Sequence, residues 1–180
     1  MKNVKYTRAF VAMVLLIGGV AWAQQTKQAP PTQATKETDW KKLSDREWRK
    51  RLTPTQYAIL RKADTEFAFR NAYHDNHKTG IYHCAGCELE LFTSDAKFDS
   101  GTGWPSFYQP LKKISVVEKR DPDGQRVEIL CSRCLGHLGH LFNDATGEYI
   151  PKTPTGLRYC MNSGAMKFVA KTTTTAVPRH

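Results

Sequence analysis

ISVVEKR (residues 114–120) and QRVEILC (residues 125–131) are two β-rich runs separated by DPDG (residues 121–124). Apolar β-branched residues on both sides of a Pro–Gly turn make an antiparallel hairpin. The second run ends on Cys131, which opens a CxxC turn, Cys131-Ser132-Arg133-Cys134. The hairpin therefore carries a cysteine to the tip of the next turn. Around it, from Gly80 onward, short alternating runs are broken by Gly, Pro and Asp. Residues 88–92, 141–142, 157–159 and 167–169 are the further strand candidates.

Upstream of Gly80 the signals are helical. Ser44-Asp45-Arg46-Glu47 fits a capping box, in which the Ser44 hydroxyl and the Glu47 carboxylate satisfy orphan amides. Thr53-Pro54-Thr55-Gln56 repeats the device with proline at the first helical position. The spacing predicts helices over 45–51 and 54–62, with Trp48, Leu52, Tyr57 and Leu60 facing inward. Helices this short are marginal alone and must pack on something. A helical pair followed by many short strands gives an α+β domain that is mainly β.

The chain has 180 residues, 40% of them hydrophobic and 24% charged, which excludes a wholly disordered protein. Its net charge is +10, but part of that sits at the amino terminus. Lys2, Lys5 and Arg8 precede or open an uncharged run over residues 9–22, and Ala21-Trp22-Ala23 offers a small-residue cleavage site. Residues 1–23 thus read as a secretory signal peptide. The uncharged run is short for a membrane span of about 20 residues, so an uncleaved anchor fits less well. No cysteine near the junction supports a lipid anchor there. Export implies a periplasmic protein, or failing that a secreted one, with no stable membrane insertion after cleavage. Residues 24–39, polar and containing Pro30-Pro31, read as a flexible linker. Residues 40–170 form the domain, and 171–180 (KTTTTAVPRH) a disordered tail.

Five cysteines are too few for a disulfide-stapled mini-protein, and an odd number leaves one over from any pairing. Cys84-Ala85-Gly86-Cys87 and Cys131-Ser132-Arg133-Cys134 are two CxxC knuckles, with residues 88–130 between them. Two such turns brought together offer four thiolates in a tetrahedron, suited to structural zinc or another thiolate-bound metal such as iron. Two redox-active pairs, or two ordinary disulfides, share the same spacing.

The remaining cysteine, Cys160, lies in Leu157-Arg158-Tyr159-Cys160-Met161-Asn162-Ser163. In a strand, Arg158 would share its face and favour the thiolate. An inert buried thiol is the alternative. His137 and His140 follow the second knuckle closely, but with four cysteines available they would overfill a tetrahedral site. They read instead as neighbours of the knuckle that point away from it, or as one core and one exposed histidine. Gly101-Thr102-Gly103-Trp104-Pro105-Ser106-Phe107 is a rigid aromatic turn in which Trp104 offers a flat apolar wall fit for a methyl group, or simply packs in the core.

SGTGWPSF (100–107), CSRCLGHLGHLFND (131–144) and PTGLRYCMNS (154–163), together with the upstream CAGC, closely resemble the peptide methionine-R-sulfoxide reductases. The resemblance extends from Trp40 to about Val169. It implies a mainly β fold of two antiparallel sheets with one structural zinc ion on Cys84, Cys87, Cys131 and Cys134. It implies reduction of the R epimer of methionine sulfoxide in oxidised proteins or peptides, through a sulfenic acid on Cys160. His140 would help protonate the sulfoxide oxygen, with His137 and Asn162 assisting. Arg158 would stabilise the thiolate, Trp104 would seat the substrate methyl, and Phe142 and Asp144 would support the pocket. Many members carry a resolving cysteine where this chain has Thr102. The resemblance therefore implies regeneration by an external thiol or a thioredoxin-like reductant. A zinc-ribbon module for nucleic acid would also use four cysteines and a basic chain. Export and the lack of a periodic stacking motif argue against it, so no nucleic-acid partner is expected.

Overall fold

The structure is a computed structural model and describes residues 38–122 and 124–171. The signal-peptide expectation (1–23), nearly all of the linker (24–37) and residues 172–180 of the tail lie outside the described residues. Two helices come first, α1 (Asp45–Arg51) and α2 (Pro54–Lys62), and both capping boxes form. Ser44 accepts from the Glu47 amide and Thr53 from the Gln56 amide, while the Glu47 and Gln56 side chains reach back to the cap amides. Trp48, Leu52, Tyr57, Ile59 and Leu60 are buried.

Among the described residues nine strands follow: β1 (Gly80–Cys84), β2 (Glu90–Thr93), β3 (Lys97–Phe98), β4 (Ser106–Phe107), β5 (Val116–Arg120), β6 (Val127–Cys131), β7 (His137–Phe142), β8 (Arg158–Met161) and β9 (Met166–Ala170). They build a three-stranded sheet in the order β2-β1-β9 and a six-stranded sheet in the order β3-β4-β8-β7-β6-β5. Every pairing is antiparallel. The hairpin forms as β5–β6, from Val116↔Cys131 to Arg120↔Val127. Its first strand starts later than the sequence suggests, because Lys113–Ser115 turn once as a 3-10 helix and bury Ser115.

The core lies between the sheets and under the helices. Phe92 stacks on Phe107 at 4.5 Å, and Tyr82 meets Phe107 edge-on at 5.0 Å and Phe168 at 4.8 Å, which joins the two sheets through aromatic contacts. Strand β8 shows why one face carries chemistry. Side chains alternate across a strand, so Tyr159 and Met161 enter the core while Arg158 and Cys160 share the other face. At the two ends of the domain, Asp39 accepts from the Lys42 amide and Lys171 donates its amide to Thr79.

Candidate functional site

Cys160 sits in the middle of the six-stranded sheet, paired with Ser106 of β4 on one side and His140 of β7 on the other. It opens onto a cavity of about 170 Å³ lined by Thr65, Trp104, Arg126, Gly139, His140, Phe142, Cys160, Met161 and Asn162. Burial pushes the Cys160 thiol up, against the opposing pull of the Arg158 cation and the hydroxyls of Thr102 and Ser106. Gly139 makes this packing possible. A Cβ there would lie 2.1 Å from the Cys160 carbonyl oxygen.

Arg158 is buried and fixed from two directions. Its Nε and Nη2 donate to Asp144 at 2.9 and 2.6 Å, and its guanidinium lies 4.2 Å from the centre of the Phe142 ring. The bidentate pair holds the Asp144 carboxyl below its usual range. Asp144 and Phe142 therefore meet at Arg158, and Phe142 also forms part of the cavity wall.

The histidines are set by two carboxylates that the sequence reading did not single out. His137 Nδ1 lies 2.8 Å from Glu128 Oε1, and its buried Nε2 has no hydrogen-bond partner. His140 Nε2 lies 3.4 Å from Asp121, whose same oxygen is 2.9 Å from Arg126. Burial lowers the His140 pKa, helped by Arg126 and His137 and opposed by Asp121 and Glu128. The two rings are 5.3 Å apart, but only His140 lines the cavity.

Asn162 and Trp104 are held by one segment. The Asn162 amide nitrogen donates to Leu138 O at 3.2 Å, and its oxygen accepts from the Glu66 amide at 3.2 Å. Trp104 Nε1 donates to the Glu66 carbonyl at 3.1 Å. The Glu66 carboxylate accepts from the amides of Ser163 and Gly164. Burial raises the Glu66 pKa, and those amides oppose it.

The other four cysteines gather away from this strand face, at the tips of two turns. Cys84 and Cys87 bound the turn after β1, and Cys131 and Cys134 the turn between β6 and β7. All four sulfurs lie within 4.8 Å of one another, with Cys84–Cys134 at 3.7 Å and Cys87–Cys131 at 3.4 Å. A disulfide needs about 2.05 Å, so these are free thiols. Thiolates about 2.3 Å from a tetrahedral zinc would stand about 3.8 Å apart. The cluster has the composition, burial and spacing of a metal site. The helical pair roofs it: a Cβ on Gly86 would touch Trp48 at 3.3 Å, and one on Gly136 would strike Leu60 at 2.9 Å. Arg61 donates to the Cys134 carbonyl and Arg133 to that of Cys87.

The SelR domain family matches residues 52–170. A protein of Bradyrhizobium diazoefficiens named peptide methionine sulfoxide reductase MsrB is 51% identical over 144 residues, covering 78% of this chain and 99% of that protein. The chain belongs to the peptide methionine sulfoxide reductase MsrB family. The MsrB of Leptospira interrogans is 54% identical over 127 residues, which span 69% of this chain and 92% of that protein. The chloroplastic peptide methionine sulfoxide reductase B1 of Arabidopsis thaliana is 45% identical over 141 residues, 77% of this chain and 66% of that protein.

This MsrB-family chain is thus an oxidoreductase with a thiol-bearing cavity and a separate four-cysteine cluster. Glu66, Asp121, Arg126 and Glu128 joined the site only through folding. For one of them the strand register accounts for the placing: in the β6–β7 pair, Glu128 stands opposite His140.

Proposed function

We propose that this chain reduces the R epimer of methionine sulfoxide in oxidised proteins and peptides, with Cys160 as nucleophile. The observation that carries the reading is the placing of one half-buried thiol, Cys160, in a small cavity beside Trp104, Phe142, His140 and Asn162. The Cys160 thiolate attacks the sulfoxide sulfur while the oxygen takes up a proton, with His140, which lines the cavity, as the donor. The sulfur–oxygen bond of the substrate breaks and the methionine thioether leaves. The sulfur–sulfur bond made in the attack breaks as the oxygen passes to the cysteine sulfur, and Cys160 is left as a sulfenic acid. The methionine sulfur gains two electrons and the cysteine sulfur loses two. Arg158 supports the thiolate, Asn162 completes the polar wall, His137 assists from behind His140, and Trp104 seats the ε-methyl group.

Thr102, at 4.0 Å from Cys160, cannot form a disulfide with it. Regeneration therefore falls to an external dithiol of the thioredoxin kind, whose first sulfur displaces water from the sulfenic acid and whose second closes its own disulfide. One zinc ion on Cys84, Cys87, Cys131 and Cys134 would supply a closed structural cross-link. Export by residues 1–23 to the periplasm, with 24–39 as tether, completes the reading.

The test uses peptides carrying separated R and S sulfoxide epimers, with dithiothreitol as reductant. The R peptide should be turned over, the S peptide should not, and Cys160→Ser should be inactive with its fold and metal content unchanged. Near-normal activity in Cys160→Ser, or equal use of both epimers, would overturn the assignment.

A further inference from the structure

Beside Cys160 lies a line of three hydroxyls. Thr102 Oγ1 is 4.0 Å from the Cys160 sulfur, Ser100 Oγ is 2.8 Å from Thr102 Oγ1, and Ser106 Oγ is 2.8 Å from Ser100 Oγ. The far end is anchored, since the Ser106 hydroxyl donates to the Trp104 carbonyl at 3.2 Å. Ser100 and Ser106 are buried, so water does not compete for these bonds.

Each hydroxyl carries a single proton, so while Ser106 gives its own to the Trp104 carbonyl the three bonds along the line must all run toward Ser106. With Cys160 as a thiol, the chain runs outward: the thiol donates to Thr102, Thr102 to Ser100, Ser100 to Ser106, and Ser106 to the carbonyl. Every donor then has an acceptor. A thiolate has no proton to give, and in that arrangement it would face only the lone pairs of Thr102. Rotation of the three hydroxyls gives the opposite order, in which Ser106 donates to Ser100, Ser100 to Thr102, and Thr102 to the sulfur. The cost is the one bond to the Trp104 carbonyl. The gain is a hydrogen bond to an anion, which is about twice as strong as a neutral one. No heavy atom need move far, and a bond that is long at rest can tighten once charge is present.

We propose that Ser106, Ser100 and Thr102 form a hydroxyl chain that reverses direction when Cys160 ionises, which makes Thr102 a catalytic residue that donates to the thiolate. The inference rests on Cys160 being the reacting sulfur. It gives the threonine a role of its own at a position where it cannot serve as a resolving thiol. The chain ends on a carbonyl and not in solvent, so the thiol proton leaves on the cavity side. The charged and titratable groups around Cys160 are Arg158 with its partner Asp144 on β8 and beyond it, His140 and His137 on β7, Arg126 and Glu128 on and beside β6, and Asp121. β4 and the turn before it contribute the hydroxyls of Ser106, Ser100 and Thr102. Thr102→Val removes the donor and leaves all of these in place.

The experiment follows alkylation of Cys160 by iodoacetamide against pH in the metal-loaded full chain, read by mass on the Cys160 peptide. Thr102→Val should raise the midpoint by about one unit and slow alkylation at neutral pH about tenfold. Its kcat for a methionine-R-sulfoxide peptide should fall similarly at unchanged KM. Thr102→Ser should restore both. Ser100→Ala, which strips Thr102 of its partner, should shift the midpoint in the same direction. A wild-type midpoint in Thr102→Val would overturn the proposal, as would a Thr102→Ser variant that behaves like the valine. Failure of the functional reading appears separately, as a wild-type protein that alkylates normally yet reduces no sulfoxide.

Discussion

Gly139→Ala is the most demanding test of how closely β7 and β8 meet at the site. The added Cβ would fall 2.1 Å from the Cys160 carbonyl oxygen and 2.9 Å from Met161 Cα, both of them backbone. Gly139 pairs with Met161, and its φ of 156° lies where side chains are rare. Neither obstacle can rotate away, so the strands must part by about 1 Å to reach an ordinary carbon–oxygen contact. Overpacking of this kind costs about 1–3 kcal/mol, and the backbone strain about 1–3 more. The total, roughly 2–6 kcal/mol, is a large share of the roughly 5–15 kcal/mol that holds a domain together. At about 3–5 °C per kcal/mol for a domain of this size, that corresponds to a fall in Tm of roughly 6–30 °C. The displaced strands carry Cys160 and His140, and a misplacement near 1 Å can cost about 100-fold in rate. Thermal unfolding followed by circular dichroism and kcat/KM on a sulfoxide peptide are the two readouts. A Tm within about 2 °C of wild type together with unchanged kcat/KM would refute the close-approach argument.

Three further outcomes follow from the same geometry. Asp144 has its folded pKa lowered by Arg158, so its contribution is present above the ordinary carboxylate range and is lost as pH falls through the lowered folded value; urea melts from pH 5 to pH 3 should show that slope in wild type and lose it in Asp144→Asn. Cys131→Ser should lower metal content measured by atomic absorption and reduce Tm by several degrees, because one ligand of the cluster that joins two turns is gone. Glu66→Ala strips the Ser163 and Gly164 amides of their acceptor but keeps the backbone bonds to Trp104 and Asn162, so KM for a sulfoxide peptide should rise more than kcat falls, with a loss of about 1–3 kcal/mol in stability by urea melts.

What the chain discloses before folding follows the range of the interactions involved. Capping boxes are local, so α1 and α2 end where Ser44, Thr53 and their partners place them. The CxxC knuckles are also local, and only their meeting is not. β7 was visible only as Leu141-Phe142, because His137, Gly139 and His140 break the apolar alternation; the strand is completed by β6 and β8 on its flanks. β4 was hidden for a similar reason. It is two residues long, follows Pro105, and exists because β3 and β8 pair with it. The candidate residues near Cys160 carried recognisable chemistry. Asp121, Arg126 and Glu128 lie in the hairpin and Glu66 between α2 and β1, and their partners lie across strands or far along the chain.

The distribution of sulfur in the fold has a consequence for wear. Among the described residues, Cys84, Cys87, Cys131 and Cys134 are nearly sealed from water, and so are Met161 and Met166. Cys160 is the one sulfur there with appreciable exposure. A peroxide that meets the folded protein therefore strikes first at the atom whose oxidised form the proposed cycle already visits. The reductant of that proposed cycle would undo that accident as well, and the enzyme's own buried methionines are spared from becoming its substrate.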